Sequence, residues 1–362
     1  MPHGDQQEPG PGPWADVLFP ADPYPGARPP ASFVQVDGLS HALCPDSGLP
    51  SGWRVNGSGD LDDRLVAHGA APMAGRVPVL AYGSNRNPSK ISWMRAERGL
   101  SGPVIVLRAR TSGLGAVWAA GLRVVDGQRP AVLAAAHGRE EEHAVWMAAP
   151  EQFAALDRVE GRAADPPRYR LARLRTGAVR TADGAVVDLP YAYLGLHEIR
   201  LPLLVDGVPV FCDDLAQGEA KHLRGEPASG DGLDAGTVTG TPHPDAWPAR
   251  VFVYGLLMPG QPSWSHLEPH ATGTPRAATL PGTVSDTGSG YPALALSEGP
   301  GVPGYVVELA DPVAAFPGLD AYEGPEYRRI RVALPDRTVC WTYLWTAGSV
   351  GLTTLPRGWT GR

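Results

Sequence analysis

Two glutamates stand where proton chemistry is plausible on residue type and spacing. Glu160 lies in Leu156-Asp157-Arg158-Val159-Glu160-Gly161 and Glu323 in Leu319-Asp320-Ala321-Tyr322-Glu323-Gly324, which share four of six residues. A Tyr-Arg pair follows each, Tyr169-Arg170 and Tyr327-Arg328. Upstream of each is an apolar run ending in Tyr-Gly: Val77 to Ala81 leads into Tyr82-Gly83-Ser84-Asn85, and Val251 to Val253 into Tyr254-Gly255-Leu256-Leu257. The separation from tyrosine to glutamate is 78 residues in the first copy and 69 in the second. A surface-loop change absorbs that difference. An isolated Glu before Gly is ordinarily a solvated helix end, and an isolated Tyr-Gly an ordinary turn. Three elements repeated in one order favour a functional reading.

The elements that position these groups are legible in outline. A run of Val, Leu and Phe stopped by Gly reads as a buried strand and a tight loop whose backbone is open to a ligand. Phe153, Leu156 and Val159 have helical spacing, with Gly161 where a C-cap belongs. The matching Phe316 to Gly324 reads as no more than a short helical turn. A carboxylate in the last helical turn faces the negative end of the helix dipole, which predicts a raised pKa suited to a general base near neutrality.

The chain of 362 residues is long enough for two domains. Residues 1–30, rich in Pro and Gly, read as a disordered tail, and 31–75 as an extension without a motif. The first domain is expected over 76–224. A Gly, Ser, Pro and Asp-rich stretch at 225–247 reads as a solvated linker, and the second domain occupies 248–362.

Composition excludes several classes. With a net charge of -7 and pI near 5.8, and with Lys90 and Lys221 as the only lysines, the chain lacks a phosphate-tracking surface, so no nucleic acid is expected as a partner. Cys44, Cys212 and Cys340 have no metal or disulfide spacing. The start of the chain lacks a secretory pattern and no apolar run reaches membrane-spanning length, so a cytoplasmic protein without a membrane partner is expected. His137 and His143 flank Glu140, Glu141 and Glu142 in what reads as an exposed acidic turn, and His266, Glu268 and His270 follow a loop; neither reads as a metal site.

Tyr82-Gly83-Ser84-Asn85 resembles the YGSN signature of the γ-glutamylcyclotransferase family. Val251 to Gln261 resembles the YGTLxxGQ form of its AIG2-like branch, and Gly290-Tyr291-Pro292-Ala293-Leu294, Gly304-Tyr305-Val306-Val307 and Leu319 to Gly324 follow the order of that branch. The resemblance implies an α+β chain of two γ-glutamylcyclotransferase-like domains, each a mixed β-barrel flanked by helices. It implies substrate loops at Tyr82, Gly83, Ser84 and Asn85 and at Tyr254, Gly255, Leu256 and Leu257, with Glu160 and Glu323 as catalytic acid/base groups. The implied reaction closes a γ-glutamyl amine or peptide to 5-oxoproline and frees the amine, with no metal or cofactor. Leu256 departs from the branch pattern, which has Thr there.

The competing expectation is a non-catalytic binding or scaffold protein built from the same two domains. Neither the leaving group nor the oligomeric state follows from the sequence.

Overall fold

The computed structural model describes residues 12–56, 58–297, 299, 301–348 and 351–360. In the first half the strands are β1 (Ser32–Val36), β2 (Leu39–Pro45), β3 (Trp53–Val55), β4 (Val77–Ala81), β5 (Val104–Trp118), β6 (Ala131–Ala148), β7 (Tyr169–Leu174) and β8 (Tyr191–Gly195). The helices are α1 (Leu61–Ala67), α2 (Pro88–Arg98) and α3 (Phe153–Glu160). The second half contributes β9 (Arg250–Val253), β10 (Ala271–Leu280), β11 (Val302–Leu309), β12 (Tyr327–Ala333) and β13 (Val339–Trp345), with α4 (Pro312–Glu323) before β12.

The two halves repeat one strand order. In the first it runs β7-β8-β4-β6-β5, and in the second β12-β13-β9-β11-β10. Each has a parallel pair at its centre, β4 with β8 through Val79 and Tyr191, and β9 with β13 through Val251 and Trp341. All five residues of β4 are buried, as a strand between two neighbours requires. The sheets are open in both halves among the described residues, in place of the closed barrels that the resemblance implies. Strand β6 instead pairs with β5 along a hairpin running from Ile105 opposite Met147 to Trp118 opposite Ala131.

Two expectations about organisation give way, and the unassigned extension gains a place in the fold. Residues 1–11 lie outside the described residues, but 12–30, expected as tail, pack on the first half and bury Trp14, Phe19 and Tyr24. Sparse aromatic anchors do there what a branched apolar run would do. Residues 31–75 supply β1, β2 and β3, which extend the first sheet beyond β5. In the expected linker Ala235–Thr237 pairs with β7, so its backbone is held although much of its surface is exposed. His143 and Glu141 are also buried within β6 rather than set in an exposed turn.

Caps fix the helices that matter for function. Asn87 accepts from the Lys90 backbone N–H at 2.7 Å, with Pro88 in the first turn of α2. Helix α3 ends at Gly161 with φ 74° and ψ 26°, a left-handed cap that glycine adopts at little cost. Helix α4 has 12 residues rather than a single turn. Asp311 caps it through the N–H groups of Val313 and Ala314, and Phe316 and Leu319 are buried beneath it. No helix among the described residues is long and apolar enough to cross a membrane.

Candidate active site

In the second half a relay of side chains sets the glutamate against the Tyr-Gly loop. The Tyr254 hydroxyl donates to the carbonyl of Tyr343 at 2.8 Å, pinning the loop after β9 to β13. The Tyr343 hydroxyl in turn donates to Asp320 Oδ1 at 2.7 Å. Arg329 grips the same carboxylate through Nε at 2.9 Å and Nη2 at 3.1 Å, fixing helix α4 to β12. Three residues on, Glu323 is one helical turn from Asp320 and reaches the loop. Glu323, Gly255, Leu256 and Leu257 line one cavity of about 310 Å³. Four tyrosines besides Tyr254 complete it: Tyr291, Tyr322, Tyr327 and Tyr343.

Burial, and secondarily the negative charge of Asp320, pushes the Glu323 carboxyl up to about 7. The physical cause is loss of water around the ionised form rather than the helix dipole. At neutral pH this group is split between its acid and base forms. Tyr327 is held well above its ordinary range by burial and by Glu323, so its hydroxyl stays protonated and donates to the Pro292 carbonyl at 2.7 Å.

The first half repeats the relay. Tyr82 donates to the Tyr193 carbonyl at 2.5 Å, Tyr193 donates to Asp157 at 2.7 Å, and Arg162 holds Asp157 at 3.0 Å. Around the glutamate the two sites diverge. The Asn85 amide donates to Glu160 Oε1 at 2.6 Å. Burial raises the Glu160 pKa, opposed by that hydrogen bond and by the charge of Lys90.

The first loop is also roofed. A Cβ added at Gly83 would stand 2.7 Å from the Tyr24 hydroxyl, and one added at Gly255 would meet Pro292 at the same distance. Tyr24 thus takes the place over the first loop that the Tyr291-Pro292 turn holds over the second. The Tyr24 hydroxyl accepts from the Ala131 N–H at 3.1 Å. The segment carrying it is tied down by Asn87, whose amide donates to the carbonyls of Phe19 and Ala27 at 3.0 and 2.5 Å. Arg28 and Arg86 both donate to the Glu142 carbonyl. Each loop glycine thus has a residue from another segment packed close over it, Tyr24 in the first half and Pro292 in the second.

The structure brings each candidate glutamate to its own Tyr-Gly loop. Ser84 and Asn85 begin a short turn into α2, and of the two only Asn85 hydrogen bonds to Glu160. The side chains of Tyr82 and Tyr254 serve as loop anchors through their hydroxyls. Sequence reasoning missed Tyr24 and the Asp-Tyr pairs Asp157–Tyr193 and Asp320–Tyr343. The aspartates were visible in the repeated Leu-Asp dipeptide. His143 faces Glu141 at 3.2 Å inside the β5–β6 hairpin, and the His266 ring lies 4.6 Å from that of Tyr322. Among the described residues no group of three or more His, Cys, Asp or Glu is placed to hold a metal ion.

No curated protein matches the chain. Residues 251–360 match the family model for gamma-glutamyl cyclotransferase, AIG2-like. Among solved structures, an AIG2-like protein from Mus musculus is 23% identical over 30% of this chain and 86% of its own, with a TM-score of 0.26. A protein described as gamma-glutamyl cyclotransferase is 16% identical over 42% of this chain and 91% of its own, at 0.28. The protein YkqA from Bacillus subtilis is 16% identical over 75% of this chain and 84% of its own, at 0.23. The stretch similar to the AIG2-like gamma-glutamyl cyclotransferase family begins at Val251 in β9, runs through β13 and includes Glu323 and its loop.

Proposed function

We propose that the second half is a cofactor-free cyclotransferase that converts a γ-glutamyl amine or peptide to 5-oxoproline and a free amine. The observation supporting this is the single cavity that holds both Glu323, with its carboxyl near 7, and the Gly255–Leu257 loop. Glu323 in its ionised form takes a proton from the substrate α-ammonium. The freed amine attacks the γ-carbonyl carbon, and the resulting oxyanion rests against the loop backbone. Glu323 then returns the proton to the leaving nitrogen as the old C–N bond breaks, and the new ring nitrogen gives up its remaining extra proton to solvent, leaving the neutral lactam and the free amine.

Nucleophile and electrophile belong to one molecule, so the protein's main task is to hold the folded rotamer. Effective molarities on the order of 10⁵ M are typical of such well-oriented ring closures. Backbone donors at the oxyanion contribute roughly 3 kcal/mol in comparable sites. Leu256 offers only its backbone and an apolar side chain where the branch pattern has a hydroxyl.

The first half we read as a second copy of the same domain, with Glu160 and the Tyr82–Asn85 loop in matching positions. The hydrogen bond from Asn85 to Glu160 favours a different role for it, binding a small ligand or supporting its neighbour without turnover.

The test is release of 5-oxoproline from a panel of γ-glutamyl amines and dipeptides by the intact chain and by Glu323→Gln and Glu160→Gln. Loss with Glu323→Gln and retention with Glu160→Gln is expected. The reverse pattern assigns the chemistry to the first half. If the folded chain releases no 5-oxoproline from any substrate, the non-catalytic binding reading replaces the enzyme.

A further inference from the structure

A second cavity, of about 330 Å³, lies between the two halves and belongs to neither Tyr-Gly site. Its wall is largely apolar: Trp53, Leu107, Met147 and Trp247 line it from one side, Leu280 and Leu334 from the other. All six of these side chains are buried. A chamber of this size with an apolar wall and polar groups at its edge is the usual form of a small-molecule site.

Two arginines line the same chamber: Arg337, whose Nη1 donates to the Asp183 carbonyl at 3.0 Å, and the partly buried Arg331. Arg331 spends its two Nη groups on backbone carbonyls, those of Met73 at 2.8 Å, Ala74 at 3.1 Å and Pro244 at 2.9 Å. Its Nε–H is buried and has no acceptor among the described residues. The guanidinium lies 4.9 Å from the Trp247 ring and 4.3 Å from that of Trp341.

Among the described residues no carboxylate pairs with Arg331, and those nearby are engaged elsewhere. Asp62 accepts from the Met73 N–H at 2.8 Å, and Asp245 pairs with Arg329 at 2.9 Å. At the cavity wall Asp46 pairs with Arg54 at 2.5 Å, and Asp183 accepts from Thr181 at 2.6 Å. Burial pushes the Arg331 guanidinium down to about 9. Keeping a desolvated cation without a contacting anion is costly, and an anionic ligand would relieve that cost.

We propose that the cavity between the halves binds a small amphipathic carboxylate, its hydrocarbon body against Leu107, Met147 and Trp247 and its carboxylate on Arg331. The cation selects the head group and the apolar wall selects the body. A ligand there touches both halves at once and ties them together. The proposal is independent of the cyclotransferase reading, since none of these residues lines the Glu323 cavity.

The experiment titrates the full chain with octanoate and indole-3-acetate, and with the matched neutral octan-1-ol and indole-3-ethanol, by calorimetry and tryptophan fluorescence. At least one carboxylate is expected to bind roughly 10-fold or more tighter than its alcohol, the range of one charge-assisted hydrogen bond. Arg331→Gln should reduce that carboxylate to the affinity of the alcohol. Ala333→Phe, which fills the cavity without touching the charge, should abolish binding of both. If Arg331→Gln does not fold, Ala333→Phe and the matched alcohols still decide. Equal affinity for acid and alcohol, binding that survives Ala333→Phe, or no binding of either acid at millimolar concentration would each overturn the proposal.

Discussion

The two Tyr-Gly sites share a scaffold and differ in what surrounds the glutamate. Both use the relay from loop tyrosine to strand carbonyl to strand tyrosine to aspartate, with nearly equal distances. Glu323 lines a cavity of about 310 Å³ with Pro292 over its loop, whereas Glu160 accepts from Asn85 and has Tyr24 over its loop. A hydrogen bond to the ionised form and a nearby cation both lower a carboxyl pKa, so only the second glutamate is left with burial nearly unopposed. One backbone frame, repeated, thus surrounds its two glutamates with different groups. Burial raises both carboxyls, and in the first site Asn85 and Lys90 oppose that rise.

The largest expected difference between the two sites is kinetic. Glu323→Gln is expected to lower kcat for 5-oxoproline release by roughly 10²- to 10⁴-fold, the range for loss of a positioned acid/base group. Glu160→Gln should leave it within about threefold. Similar losses in both variants, measured on one substrate, would mean that the sites work alike despite their surroundings.

Next in size is the roof. Tyr24→Ala removes a buried ring and should destabilise the chain by about 3 kcal/mol, read from urea midpoints. It should leave turnover at Glu323 unchanged. A gain of 5-oxoproline release in the Glu323→Gln, Tyr24→Ala double variant would show the first site to be a covered enzyme rather than a binding or supporting one.

A third, smaller effect is in the pH dependence of stability. The Glu323 carboxyl stands near 7 when folded, against an ordinary 4.5. Between those values the folded chain holds a proton that the unfolded chain has released, so the contribution of this group falls as pH rises and is lost above about 7. The full shift corresponds to at most about 3 kcal/mol, lessened by the partial exposure of the side chain. Glu323→Gln should therefore gain stability relative to the parent at pH 8 compared with pH 5. An equal difference at both pH values would mean that Glu323 titrates normally.

Much of the frame was legible because its signals are local. Buried strands write themselves as unbroken apolar runs, as in Val77 to Ala81, and helix ends as glycine after the last apolar position, as at Gly161. The terminal segment was misread because Trp14, Phe19 and Tyr24 are too sparse to register as an apolar pattern, yet each buries a large ring. Helix α4 was underestimated because Pro317 and Gly318 interrupt its pattern, while Asp311 and the packing of Phe316 and Leu319 hold it.

The order of loop, glutamate and Tyr-Arg strand, present twice, is fixed along the chain, since each is a short run of sequence neighbours. Tertiary structure alone decided which glutamate is free, which is hydrogen bonded, and what covers each loop. Those properties depend on Tyr24 meeting Gly83, Asp320 meeting Tyr343 and Arg331 meeting Trp247 across long separations in the chain. Burial and electrostatic surroundings are sums over spatial neighbours, and only the folded chain brings those neighbours together.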